Sequence, residues 1–255
     1  MVNKYNQIQK NSAENTNWSN IYPPCVHPTQ MCGCTEEPDA QSLRKPQNSF
    51  SSVLKAITSL ARLDYSMDIC LIPIKELSIC IDKERFHKLC EEGCINYARK
   101  WSCPPFAPCF VDFVSTWKNL FLFYLRIDLE QFSYIKNDYL KIRAANNILK
   151  SRVDRFLIKM TEKHGNYIST GSCRLCKPCK CRAGMPCAHP TAMTYSFEAM
   201  GVNVSRLVSE YFQKPLLWYR PHCLPEYTSV VCGLLTNETI KLSGLYNEYL
   251  KYVSE

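Results

Sequence analysis

Sixteen cysteines in 255 residues are the feature that any fold of this chain has to accommodate. At about 6% of the chain they fall below the roughly 8–10% of short secreted disulfide scaffolds. Such scaffolds are usually under about 80 residues and lack a core. Here 46% of the residues are hydrophobic and 21% charged, the balance of a chain that buries a core. Residues 1–20 are polar, without the apolar stretch of a secretory signal. The longest aliphatic and aromatic run, Leu120 to Leu125, is six residues, against about 20 for a membrane span. A cytoplasmic protein with no membrane partner is expected, and clustered thiols in that setting bind metal or do redox chemistry.

Residues 1–51 are low in aliphatics and rich in Asn, Gln, Ser, Thr and Pro. They read as a loosely ordered extension with its own cysteines, Cys25, Cys32 and Cys34, ahead of one cysteine-rich domain over 52–255. Val53, Leu54, Ile57, Leu60 and Ala61 recur at helical spacing. Residues 69–81 look strand-like, with Pro73 marking an edge or a break. Asp82 is placed to cap a short helix to Cys90 with Phe86 and Leu89 inward. Leu120 to Ile127 predicts a strand covered on both faces. A long helix follows, with Phe132, Ile135, Tyr139, Ile142, Leu149, Val153, Phe156 and Met160 on one stripe, ending at His164-Gly165. A short strand over 167–170, helices near 195–213 and a strand near 227–235 complete the pattern. The expected class is α/β or α+β: a small mixed sheet flanked by helices, with cysteine-rich metal-binding loops at one end.

Two cysteine blocks carry the chemistry. The second runs Cys173-x2-Cys176-x2-Cys179, then Cys181 and Cys187-Ala-His189. Three cysteines at two-residue gaps are what ferredoxin-type loops use to wrap a [4Fe–4S] cube. A zinc knuckle needs one such pair, with its partners further along. Cys187 is the natural fourth ligand, and Cys181 reads as a bystander. The first block is Cys90-x3-Cys94-x8-Cys103, followed by Pro104-Pro105 and, further on, Cys109. A Cys-Pro step also marks the last ligand of ferredoxin loops; Cys109 is the weaker fourth thiol. Five of only eight glycines (Gly33, Gly93, Gly171, Gly184 and Gly233) lie within three residues of a cysteine, as a loop curled round a centre requires.

The string Cys94-Ile-Asn-Tyr-Ala-Arg-Lys-Trp-Ser-Cys103-Pro-Pro, joined to Gly-Ser-Cys-Arg-Leu-Cys, Gly-x-Pro-Cys-x-His-Pro and Glu198-Ala-Met-Gly201-Val, resembles the cysteine-rich predicted metal-binding protein family. That family is a domain of unknown function found mainly in anaerobic bacteria and archaea. The resemblance covers roughly residues 65–236. It implies Cys90, Cys94, Cys103, Cys173, Cys176, Cys179 and Cys187 as metal ligands, and it promises metal without naming a reaction. Ala98 stands where the family usually has glycine, and residues 1–51 lie outside the pattern.

His189 and His222 sit beside Cys187 and Cys223, each a ligand, a proton donor or a structural residue. Cys70, Cys80, Cys223 and Cys232 lie in apolar segments and read as small buried hydrophobes. Eight Lys and Arg between Lys136 and Lys163 face three acids, either a solvated helix surface or a face steering an anionic partner. Trp101 and Tyr97, between the ligands, are placed to shield the site.

The reading that follows is an iron–sulfur protein with one or two [4Fe–4S] clusters, serving electron transfer or cluster-based redox or sulfur chemistry, with a redox partner protein. A three-thiolate site would leave one iron open to substrate. The alternative is a zinc-stabilised module whose basic helix engages nucleic acid or an acidic protein, the metal supplying folding energy. Nucleic acid is the less favoured partner.

Overall fold

The computed structural model describes residues 49–57, 62–219 and 223–254. Strand β1 (Ser49–Ile57) and strand β2 (Arg62–Pro73) form a hairpin. The helical spacing of Val53, Leu54 and Ile57 therefore does not produce a helix. Leu54 is buried and Val53 is 74% exposed, the alternation of a half-covered strand, and pairing with β2 decides between the two periods. Leu60 and Ala61 lie outside the described residues, as does residue range 1–48 of the expected extension; Ser49 to Ser51 already belong to β1.

At Pro73 the strand gives way to a 3-10 helix, Ile74–Cys80. Helix α1 (Lys83–Gly93) follows, its first turn closed by the Asp82 side chain accepting from the Arg85 N–H at 3.2 Å. Phe86 and Leu89 end half-buried, not fully enclosed. After a loop comes the short helix α2 (Phe110–Val114), then strand β3 (Asn119–Asp128), helix α3 (Asp138–His164) and strand β4 (Asn166–Ile168). Helix α4 (Val204–Phe212), strand β5 (Tyr227–Thr236) and helix α5 (Leu242–Ser254) finish the chain. The sheet order is β1-β2-β3-β5-β4, and every pairing among the described residues is antiparallel. This is the expected sheet-and-helix class in its α+β form.

The apolar run is the centre of the molecule. Leu120 to Leu125 show no exposed surface, because β3 lies between β2 and β5 and both its faces are covered. Phe121, Phe123 and Leu125 face α3 and α5, meeting Leu149, Val153, Phe156 and Tyr249. Leu120, Leu122 and Tyr124 face the other layer, where Phe110, Phe197, Met200, Leu207 and Val208 pack. Each such side chain, fully enclosed, stabilises the fold by about 1.5–3 kcal/mol. The stripe on α3 narrows to Ala145, Leu149, Val153, Phe156, Leu157 and Met160, with Phe132 buried before the helix starts. Helix α5 was not anticipated, although Leu242, Leu245 and Tyr249 carry its buried side.

A second connection fixes where α1 sits. The Asp82 N–H donates to the Gly201 carbonyl at 2.9 Å and the Asn203 N–H to the Cys80 carbonyl at 2.7 Å. Ile81 and Val202 form an isolated bridge. Gly201 has φ +87°, and a Cβ there would stand 2.7 Å from the Lys83 Cα. Gly201→Ala is therefore expected to destabilise the protein by about 1–3 kcal/mol through backbone strain and displacement of α1. A urea unfolding midpoint no lower than that of the parent would contradict this.

Candidate metal centre

The last turn of α1 holds Cys90, and Cys94 follows the helix, its N–H donating to the Cys90 carbonyl at 3.0 Å. From there the chain closes into a compact loop. The Tyr97 N–H donates to Cys94, that of Ala98 to Pro104, that of Cys103 to Lys100 and that of Phe106 back to Cys103, all within 2.9–3.1 Å. Ala98 sits in the left-handed region at φ +52°, a conformation that glycine adopts without steric cost. The peptide bonds Pro104-Pro105 and Lys177-Pro178 are both cis, one in each cysteine loop.

The thiols of the first block interact with one another. The Cys90 S–H donates to Cys94, which raises Cys90 above the ordinary thiol range and lowers Cys94 to about 6. The backbone amides of Asn96 and Tyr97 add to the stabilisation of the Cys94 thiolate. Cys103, 5% exposed, is pushed up to about 11 by burial, with the charges of Cys94 and Cys179 adding to the rise. Cys103 thus lies within electrostatic reach of both blocks.

In the second block Cys173, Cys176, Cys179 and Cys187 line a single pocket, together with Trp101 and Ser102 of the first block and Leu175, His189 and Met193. The His189 N–H reaches the Cys187 sulfur at 3.4 Å, and the Cys187 thiol lies 3.9 Å from the Met193 sulfur. A 3-10 turn over Lys180–Ala183 buries Cys181, whose thiol turns to the Ala98 carbonyl at 3.9 Å. Cys109 lies at the start of α2 as its N-terminal cap residue.

Three successive residues clamp the two blocks together. Lys100 Nζ donates to Ser172 Oγ and to the Cys173 carbonyl, both at 2.9 Å. Trp101 Nε1 donates to the Met185 carbonyl at 2.9 Å, and the Cys173 N–H donates to Ser102 Oγ at 3.1 Å. Trp101 is thereby part of the pocket wall.

Beneath the second loop lies a charged cluster that the sequence did not signal. Asp154 on α3 accepts from the Thr170 N–H at 3.2 Å and its hydroxyl at 2.8 Å. Burial raises the Asp154 pKa against those hydrogen bonds. Burial, reinforced by Arg174, lowers that of Lys150, while Glu198 and Asp154 oppose the shift. The Glu198 charge also reaches Cys90. His87, one turn before Cys90, keeps its Nε2 buried without a hydrogen-bond partner. Nothing in the cysteine spacing points to these residues, because they become neighbours only through the packing of α1, α3 and the 198–200 turn.

Other sequence readings divide. Cys70, Cys80 and Cys232 are buried free thiols, as expected, whereas Cys223 is half-buried and disulfide-bonded. Lying before β5, outside the core, it does not act as a buried hydrophobe. Cys25, Cys32, Cys34 and His222 lie outside the described residues. On the basic helix, Lys141 pairs with Asp138 at 3.3 Å and Lys159 lies over the Tyr252 ring at 4.6 Å. No helix among the described residues is long and apolar enough to cross a membrane.

Among the described residues no three His, Cys, Asp or Glu side chains already stand in chelating arrangement round a single ion. The donor chemistry nevertheless fits a soft metal. The pocket offers four thiols and a thioether, and the segments 94–111 and 166–197 contain no carboxylate. Thiolate sets of this kind select zinc, copper(I) or iron–sulfur clusters over hard cations.

An antiparallel sheet thus brings two clamped cysteine loops to one sulfur-lined pocket. Over residues 72–232 the chain matches the family model described as predicted metal-binding protein, a domain of unknown function, and it belongs to that family. No curated protein and no solved structure matches it.

Two outcomes follow from the loop geometry. Ala98→Gly removes the left-handed cost and is expected to raise stability by about 1 kcal/mol, read from the urea midpoint. In metal-free protein, Cys94 becomes a thiolate as pH rises through about 6. Iodoacetamide modification at Cys94 should therefore climb between about pH 5 and 7 and then level off, with Cys103 lagging far behind. A Cys94 rate still climbing above that range would count against the shared proton.

Proposed function

We propose that the protein is an iron–sulfur protein in which Cys173, Cys176, Cys179 and Cys187 hold a [4Fe–4S] cluster. The observation that carries this reading is the single pocket lined by those four thiols. The ferredoxin-like two-residue gaps between Cys173, Cys176 and Cys179 favour a cube over a zinc knuckle. Cys90, Cys94 and Cys103 form a second thiol set, joined to the first through Cys103 and Cys179. They bind a second cluster, with Cys109 or an exogenous group as fourth ligand.

Bound iron–sulfur clusters supply one-electron chemistry and, where one iron lacks a thiolate, a Lewis-acid site. The protein's own residues supply the setting. Cys94 is deprotonated near neutrality and ready to ligate, since the thiolate is the binding form. Lys100 and the Ser102 hydroxyl hold the loop backbone at Cys173. Trp101, Leu175 and Met193 form an apolar wall that limits water and tunes potential through solvent access. The role that fits is electron transfer or cluster-based redox or sulfur chemistry.

Protein purified without oxygen is expected to be brown, with about four iron and four sulfide per cluster and a paramagnetic signal after reduction. Cys176→Ser should lose one cluster's complement and keep its secondary structure by circular dichroism. Colourless protein holding stoichiometric zinc without sulfide would replace this reading with the zinc-stabilised module.

A further inference from the structure

The loops that build the thiol pocket are set apart by charge. Between them the segments 94–111 and 166–197 carry Arg99, Lys100, Arg174, Lys177, Lys180 and Arg182, without a single Asp or Glu. Lys100 is turned inward by its hydrogen bonds, and the other five are exposed. The nearest preceding acids are engaged: Glu91 with the Tyr97 hydroxyl, and Glu92 with Lys88 at 3.9 Å.

The same loops also carry exposed apolar side chains. Leu175 is 51% exposed, Met185 48% and Phe106 43%. Trp101 joins them, because its ring packs on Phe106 with centroids 4.7 Å apart and its indole N–H is bound to the Met185 carbonyl. Trp101 and Leu175 also line the thiol pocket. These side chains therefore form an apolar rim that reaches the pocket mouth through Trp101 and Leu175.

We propose that this face docks an acidic electron-carrier protein over the mouth of the thiol pocket. The carrier's kind rests on the iron–sulfur reading; the surface itself does not. Aromatic residues, Met and Arg at the centre of a patch, with charges outside it, are the composition of protein-binding surfaces. The exposed cations of these loops select a partner of opposite charge and speed its encounter. Nucleic acid fits less well. Its bases need a free aromatic face and its phosphates no apolar rim, whereas one face of Trp101 is occupied by Phe106 and its N–H is already used.

The test is calorimetric titration of the full-length, anaerobically purified protein with oxidised flavodoxin, at low and high salt. Binding is expected at low salt and should weaken at least about tenfold at high salt. The double variant Lys177→Glu, Arg182→Glu should weaken it about tenfold while iron and sulfide content stay unchanged. Phe106→Ser should weaken it at both salt concentrations. Absence of binding to flavodoxin and to a plant-type ferredoxin would overturn the proposal, as would binding indifferent to salt and to the charge reversals. Charge reversal that lowers iron content and spares binding would assign the cations to the centre and overturn the docking surface. A stem-loop RNA that binds the face more tightly than flavodoxin would also overturn it. Zinc in place of iron, with the binding behaviour intact, would remove the iron–sulfur reading and leave the surface standing.

Discussion

Everything about the candidate centre depends on the clamp formed by Lys100, Trp101 and Ser102. The two cysteine blocks are separated by about seventy residues of chain, including β3 and α3, and residues of both line the pocket. The clamp joins them through four hydrogen bonds, two from an ammonium group to Ser172 and the Cys173 carbonyl. Hydrogen bonds to a charged group contribute about 1.5–3 kcal/mol each, more than neutral ones. The arrangement is economical in sequence: three adjacent residues, lying between Cys94 and Cys103, determine where Cys173 and Met185 stand.

The sheet makes that clamp possible by bringing the flanking segments together first. Helix α2 follows the first block and packs against the segment that follows the second, through Phe110 with Phe197 and Phe113 with Tyr195. The same segment holds the start of the second loop, where the Ser169 N–H donates to the Tyr195 carbonyl at 2.9 Å. Gly201 then places α1, and with it Cys90, against this layer. Helix α3 contributes from the opposite side, since Asp154 holds Thr170 just before the second block. The loops are irregular, but the elements anchoring them are not.

Sequence pattern was most informative where one physical demand dominated. The run from Leu120 to Leu125 can be satisfied only by enclosure on both faces, so the central strand was legible. Asp82, Pro73 and Gly165 marked element ends because each has a specific backbone consequence. The cysteine spacing was legible for the same reason, and Cys173, Cys176, Cys179 and Cys187 do line one pocket. Pattern failed where two periods fitted equally well. Val53, Leu54 and Ile57 match a helix or a strand, and only pairing with β2 distinguishes them. It was also silent on contacts between distant residues: Lys150, Asp154 and Glu198 are ordinary charges on paper and neighbours of the centre in space.

The placement of the remaining sulfurs has a consequence for how this protein handles oxidants. Cys70 and Cys232 are 1% and 0% exposed and Cys80 is 1% exposed, while the pocket thiols Cys173, Cys176, Cys179 and Cys187 are only half-buried, in the second cysteine loop. Electrophiles and peroxides therefore meet the loops first, and the interior thiols remain reduced for as long as the sheet stays closed. Cysteine chemistry in the native molecule is partitioned by depth: the outer set is open to modification, and the inner set is kept out of reach by the packing that forms the core.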